Sequence, residues 1–213
     1  VSEYENNKPV TDFYCKKCKE EYELKSKNGK LGGIINDGAY NTMIQRITSS
    51  SNPNFFFLTY NKQYSVDNFL IIPKQFFTPE IIIKRKPLSI TAKRAGWTGC
   101  NIDISNISSL GKIFLVENSK LIKPELVQEA FNKTTFIREK TLDAKGWILD
   151  VLNCIEKIPT REFNLKDVYN FEKELMSKHP DNNHVKDKIR QQLQYLRDKG
   201  LIEFSGRGTY KKL

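Results

Sequence analysis

Apolar and polar positions along this chain alternate first with the rhythm of strands and later with that of helices. Residues 10–15 and 22–26 are strand-like, with Cys15-Lys16-Lys17-Cys18 between them as a turn, so a hairpin is predicted. A glycine-containing loop follows over 28–33. Asn36 and Asp37 are then placed to cap a helix that carries Tyr40, Met43, Ile44 and Ile47 on one face and stops at Ser49-Ser50-Ser51-Asn52-Pro53. The run Phe55-Phe56-Phe57-Leu58-Thr59-Tyr60 is short and almost continuously apolar, which suits a strand buried on both faces. Residues 66–72, closed by Pro73, and 112–116 predict further strands. Residues 123–133 have helical spacing, with Leu126 and Phe131 as apolar positions. Hairpin, helix, buried strand and more strands make an α/β (α+β) domain around a mixed central sheet.

From Leu142 the period changes. Residues 145–155 predict a helix with Trp147, Ile148, Val151, Leu152 and Ile155 inward, followed by a short extended piece at 161–163. Asn164 caps a second helix with Leu165, Val168, Phe171 and Leu175. Residues 180–183 turn into a third helix over 184–199, with Val185, Ile189, Leu193 and Leu196 inward and Gly200 at its end. A hairpin tipped by Gly206-Arg207-Gly208 completes the pattern of a winged helix. Two domains are therefore expected, 1–141 and 142–213.

The charge distribution points to a polyanion. Across 213 residues the net charge is +10; residues 1–141 hold 21 basic and 14 acidic side chains (+7), and the remainder 14 and 11 (+3). Both parts being basic favours a nucleic-acid partner, although many soluble proteins are merely basic. No apolar run reaches membrane-spanning length, and no signal peptide is visible. Four cysteines without a framework pattern suit a reducing, cytoplasmic setting. The chain starts at Val1 without an initiator methionine, so further residues upstream are expected.

The hairpin carries the candidate chemistry. If it is centred between Lys17 and Cys18, Asp12 falls opposite Glu23, and Glu23 shares a face with Lys25. Facing carboxylates lie about 5 Å apart and repel unless a cation separates them. Mg²⁺ suits oxygen ligands and keeps waters, and a nearby amine can orient a water or offset phosphate charge. The plain alternative is that Glu-x-Lys is one of the commonest patterns on a solvated strand. Cys15 and Cys18 have zinc-knuckle spacing but supply only two of four ligands, so half of a Zn²⁺ site, a redox pair and two incidental thiols all remain open. Cys100 and Cys154 read as ordinary buried thiols.

Two segments are candidates for touching DNA. Lys93 and Arg94 would meet phosphates, and Trp97, between glycines, would press on bases or a base methyl; a core tryptophan is the equal alternative. In the third helix of the winged helix, Asn183, His184, Lys188, Arg190 and Gln191 are placed for a major groove, with Arg207 reaching phosphate or the minor groove. Winged helices also serve as protein-contact modules, and a charge of +3 is modest.

Asp12, ten intervening residues, Glu23, one residue and Lys25 match the PD-(D/E)xK nuclease motif, with Thr11 in the place usually held by proline. The chain resembles the methyl-directed, Dpn-type restriction endonucleases of that class along nearly its whole length. The resemblance rests on Asp12-Phe13-Tyr14-Cys15, Glu23-Leu24-Lys25-Ser26-Lys27, Ile35-Asn36-Asp37-Gly38-Ala39-Tyr40, Asn52-Pro53-Asn54-Phe55-Phe56-Phe57, Arg94-Ala95-Gly96-Trp97 and Lys188-Ile189-Arg190-Gln191-Gln192-Leu193. It implies a PD-(D/E)xK domain followed by a winged helix, each recognising methylated DNA. It also implies Mg²⁺-dependent double-strand cleavage at GATC carrying N6-methyladenine, with a monomer expected. In that family a first helix and a second Cys-x-x-Cys precede the hairpin, which would complete the Zn²⁺ site. The alternative is a non-catalytic winged-helix reader of methylated DNA, or a regulator, with a relic nuclease domain.

Overall fold

The computed structural model describes residues 2–3, 11–49 and 52–213. The predicted strand residue Val10 and the helix-ending Ser50 and Ser51 lie outside the described residues. The chain divides into two units, Val1–Arg138 and Glu139–Leu213.

In the first unit the strands are β1 (Ser2–Glu3), β2 (Phe13–Cys15), β3 (Glu20–Asn28), β4 (Ile34–Ala39), β5 (Asn54–Tyr60), β6 (Val66–Ile72), β7 (Ile82–Lys84), β8 (Gly99–Asp103), β9 (Ile113–Glu117) and β10 (Lys120–Leu121). Helix α1 (Tyr40–Thr48) lies between β4 and β5, and α2 (Pro124–Asn132) follows β10. One mixed sheet has the order β1-β2-β3-β5-β6-β9-β10, and a second has the order β4-β8-β7. Among the described residues only the β3–β5 pair of the large sheet is parallel, and its crossover over 29–53 contains β4 and α1. A parallel pair needs such an excursion, because a tight turn cannot reverse the chain twice. Phe55 and Phe57 fill the core beneath β5, with Phe55 stacked on Phe77 at 4.1 Å. Phe56 points the other way and stacks between Tyr22 and Phe69. Both faces of β5 are thus occupied by packed rings, as its continuous apolar run predicts.

One local expectation fails. Asn36 and Asp37 do not cap α1. They lie in β4, paired with Asn101 and Cys100 of β8, and the helix starts three residues after Asp37 from an Ala39 N-cap that has no side-chain bond. Sheet pairing has overridden a local capping preference, and a bulge between Asp37 and Ala39 turns the strand into the helix. The helix expected over 123–133 forms as α2, with Leu126 exposed.

The second unit contains α3 (Leu142–Lys157), β11 (Glu162–Asn164), α4 (Leu165–Tyr169), α5 (Glu172–Lys178), α6 (Val185–Asp198), β12 (Ile202–Gly206) and β13 (Thr209–Lys212). The sheet order β11-β13-β12 closes the wing onto the extended piece before α4. The single helix expected after Asn164 is broken at Asn170 and Phe171 into α4 and α5. Asn164 itself forms a full capping box: its side chain accepts from the Lys166 and Asp167 amides, and Asp167 Oδ2 accepts from the Asn164 amide at 2.7 Å. Asn164→Ala is expected to destabilise this unit by about 1 kcal/mol in a denaturant titration, while leaving the first unit's transition in place. No helix among the described residues is long and apolar enough to cross a membrane.

Candidate active site and nucleic-acid interface

The β2–β3 hairpin sets the site. Phe13 pairs with Tyr22, Tyr14 with Glu21 and Cys15 with Glu20. The Asp12 amide donates to Tyr22 O at 2.9 Å, which carries the same register one step further and puts Asp12 opposite Glu23. The Leu24 amide donates to Asp12 Oδ2 at 2.7 Å and pins that carboxylate against the edge of β3. Along β3, alternation sends Glu21, Glu23 and Lys25 to one face.

Each position on that face has its own environment. Arg46 of α1 pairs with Glu21 and donates to Thr11 Oγ1 at 2.9 Å, so Glu21 is committed to holding the helix. Glu23 is 7% exposed and runs beside Phe55 in the parallel ladder, and Lys25 runs beside Phe57. This apolar wall is what removes water from Glu23. Its pKa is raised by that burial; Lys25 opposes the shift, while the Asp12 and Asp37 charges add to it. Lys25 Nζ lies 2.5 Å from Glu23 Oε1 and 2.6 Å from Asp37 Oδ1. Burial works to lower the Lys25 pKa, but Asp37 and then Glu23 outweigh it, and the net shift is upward.

Asp37 is the residue that sequence reasoning missed at this site. It comes from β4 in the second sheet, its side chain is 5% exposed, and it reaches the same ammonium as Glu23. Its only signal in the sequence is a charged residue in the Ile35–Tyr40 stretch, where it also suits a helix cap.

The donors here are of the kind a hard dication takes. Asp12, Glu23 and Asp37 are oxygen donors whose mutual repulsion, in a partly dried site, a cation relieves. Among the described residues no group of three or more His, Cys, Asp or Glu could hold a metal ion. A Mg²⁺ ion here would complete its shell with waters and phosphate oxygens, as that ion commonly does.

At the hairpin tip, Cys15 and Cys18 are free thiols. Lys19 follows with φ of 56° and its amide donates to Cys15 O at 2.8 Å, which curls the turn around Cys15. Hydrogen bonds from the Cys18 amide, the Cys18 thiol and the Lys17 amide lower the Cys15 pKa, favouring the thiolate that zinc needs. Among the described residues no third or fourth ligand joins them. Cys100 and Cys154 are buried thiols, as expected, with pKa values pushed by burial to about 11 and about 12.

The segment with Lys93, Arg94 and Trp97 is part of the long connection between β7 and β8. Trp97 is half-buried, with the Arg94 guanidinium over its ring at 4.9 Å and its edge against Gly99. Lys93 and Arg94 are exposed. In the second unit α6 exposes Arg190 and Gln191, with Asn183 and His184 at its N-terminal end. Arg190 pairs with Asp187, and the Lys188 ammonium lies 5.9 Å from the Trp147 ring centre. Arg207 is exposed in the wing turn, before Gly208 at φ 73°. The structure thus gathers Asp12, Glu23 and Lys25 in one place and the α6 residues on one helix end, and keeps the 93–97 segment on its own loop.

Comparison with known families agrees with this division. Residues 1–140 match the DpnI profile, described as the Dam-replacing family, and residues 143–212 match the Dam-replacing HTH domain. The helix-turn-helix match makes DNA the partner of the second unit. With a mixed sheet carrying the Asp12, Glu23 and Lys25 cluster and a winged helix behind it, the chain belongs to the DpnI-type, Dam-replacing family of methyl-directed restriction endonucleases.

Proposed function

We propose that this protein makes Mg²⁺-dependent double-strand cuts at GATC carrying N6-methyladenine, acting as a monomer on DNA in the cytoplasm. In this reading residues 1–141 cut and residues 142–213 help select methylated DNA. The observation that carries it is the Lys25 ammonium held between Glu23 and Asp37, with Asp12 on the facing strand. Asp12 and Glu23 would hold the ion, which when bound eases deprotonation of a water and offsets charge on the scissile phosphate. Lys25 donates toward the attacking water or a phosphate oxygen, and Asp37 keeps Lys25 charged and aimed. Phe55 and Phe57 keep bulk water from the buried side of Glu23 and Lys25. The target sequence and methyl requirement rest on family membership.

Cys15 and Cys18 would supply two of the four ligands of a structural Zn²⁺ site. Lys93, Arg94 and Trp97 contact DNA from the first unit; Asn183, His184, Lys188, Arg190, Gln191 and Arg207 do so from the second. Digestion of matched plasmids, one adenine-methylated at GATC and one not, with and without Mg²⁺, tests the reading. Cutting is expected only of the methylated plasmid with Mg²⁺. Binding of methylated DNA without any nicking would instead favour a reader with a relic nuclease domain.

A further inference from the structure

The connection between β7 and β8 is itself an ordered hairpin. The Arg85 amide donates to Gly99 O at 3.0 Å, Leu88 to Trp97 O at 2.9 Å and Gly96 to Leu88 O at 3.1 Å. At its tip the Ala92 amide donates to Ser89 O at 3.0 Å, closing a four-residue turn, and the Ser89 and Thr91 hydroxyls share a 2.9 Å hydrogen bond. Ile90 occupies the second position of that turn and is 93% exposed. Turn tips favour Gly, Pro, Asn, Asp and Ser, each for a backbone or hydrogen-bonding reason that isoleucine lacks. Exposing its side chain this fully forgoes the stabilisation that burial would bring, about 1.5–3 kcal/mol for a branched aliphatic side chain.

The surroundings of Ile90 identify what it meets. Lys84, Arg85, Lys86, Lys93 and Arg94 lie on the two arms, and no carboxylate occurs in sequence between Glu80 and Asp103. An apolar tip on a cationic arm is well matched to duplex DNA. Cations track the phosphates while a rigid aliphatic group enters the stack, as the apolar wedges of DNA-bending proteins do. Ile90 is held out by a hydrogen-bonded turn, so little side-chain or backbone freedom is lost on insertion.

We propose that Ile90 is a wedge that inserts between base pairs at or beside the target site and unstacks one step. This rests on the reading that the hairpin touches DNA. The deformation makes the energy of binding depend on how easily that step opens, so the residue contributes to specificity without a hydrogen bond to any base.

The test uses the whole protein with Ca²⁺ in place of Mg²⁺ and methylated duplexes carrying 2-aminopurine at one position at a time across and beside GATC. Unstacking at one step is expected to raise the fluorescence about threefold or more at saturating protein, and Ile90→Ala should remove most of that rise. Ile90 is exposed, so its variant should keep the wild-type melting profile. A Lys86→Ala/Lys93→Ala double variant should bind more weakly yet give the full signal at saturation. If Ile90→Ala keeps the fluorescence rise, or the wild type shows none at any position, the wedge is overturned. If the double variant binds as tightly as wild type, the hairpin lies off the DNA and the underlying reading fails as well.

Discussion

Lys25→Ala is expected to slow cleavage of methylated DNA by roughly a thousandfold, the scale seen when one donor to developing charge is removed from a prepared site. Binding of the methylated duplex should change little, because Lys25 is held by Glu23 and Asp37 rather than presented on the surface. Single-turnover cleavage beside a binding titration separates the two effects. A variant that cuts at the wild-type rate would remove Lys25 from the site. The substitution also leaves Glu23 and Asp37 as neighbouring carboxylates without their shared cation. The folded variant should therefore gain more thermal stability from added Mg²⁺ than the wild type does, since a ligand that binds only the folded state adds stability by RT ln(1 + L/Kd) at free concentration L, which grows with affinity. Asp37→Asn should also slow cleavage, more weakly, because Glu23 still holds the ammonium.

Trp147→Ala is expected to cost the second unit about 3–5 kcal/mol, the usual range for deleting a large aromatic from a packed core. Trp147 is 1% exposed on α3. One face stacks on His179 at 3.9 Å with 15° between the rings, and His179 Nε2 lies 2.9 Å from Asp150 Oδ2 one turn along the same helix. The Lys188 ammonium of α6 is also near its ring. One side chain therefore joins α3, the end of α5 and the Lys188 side of α6. Hydrogen exchange of the α3 and α6 amides should rise sharply in the variant while β5 and β6 stay protected, because the two units need not unfold together. Unchanged α6 protection would show that the helix is held by Val185, Ile189, Leu193 and Leu196 alone.

The elements that the sequence announces are those whose patterns depend on neighbours two or four residues away. The β2–β3 register follows from centring a hairpin on Lys17 and Cys18, and the five inward positions of α3 follow from helical period. The run at residues 55–60 is apolar enough to betray a central strand. Asp37 was illegible for the opposite reason. Its role depends on β8, more than sixty residues downstream, which holds residues 34–39 extended where local preference favours a cap. The break between α4 and α5 is similar, since Phe171 keeps the helical spacing while the backbone leaves the helix. Ile90 carries no period, and only the turn geometry reveals that it points outward.

The division into two units also has a consequence for how such an enzyme is made. Asp12, Glu23, Lys25 and Asp37 all precede residue 40, whereas α6 begins at Val185. Synthesis proceeds at about 5–20 residues per second and domains generally fold as they emerge, so the cutting unit can be complete several seconds before the winged helix exists. On the proposed reading, a nascent chain then holds the cutting site without the helix-turn-helix unit. That reading requires the first unit to be selective by itself about where it closes on DNA.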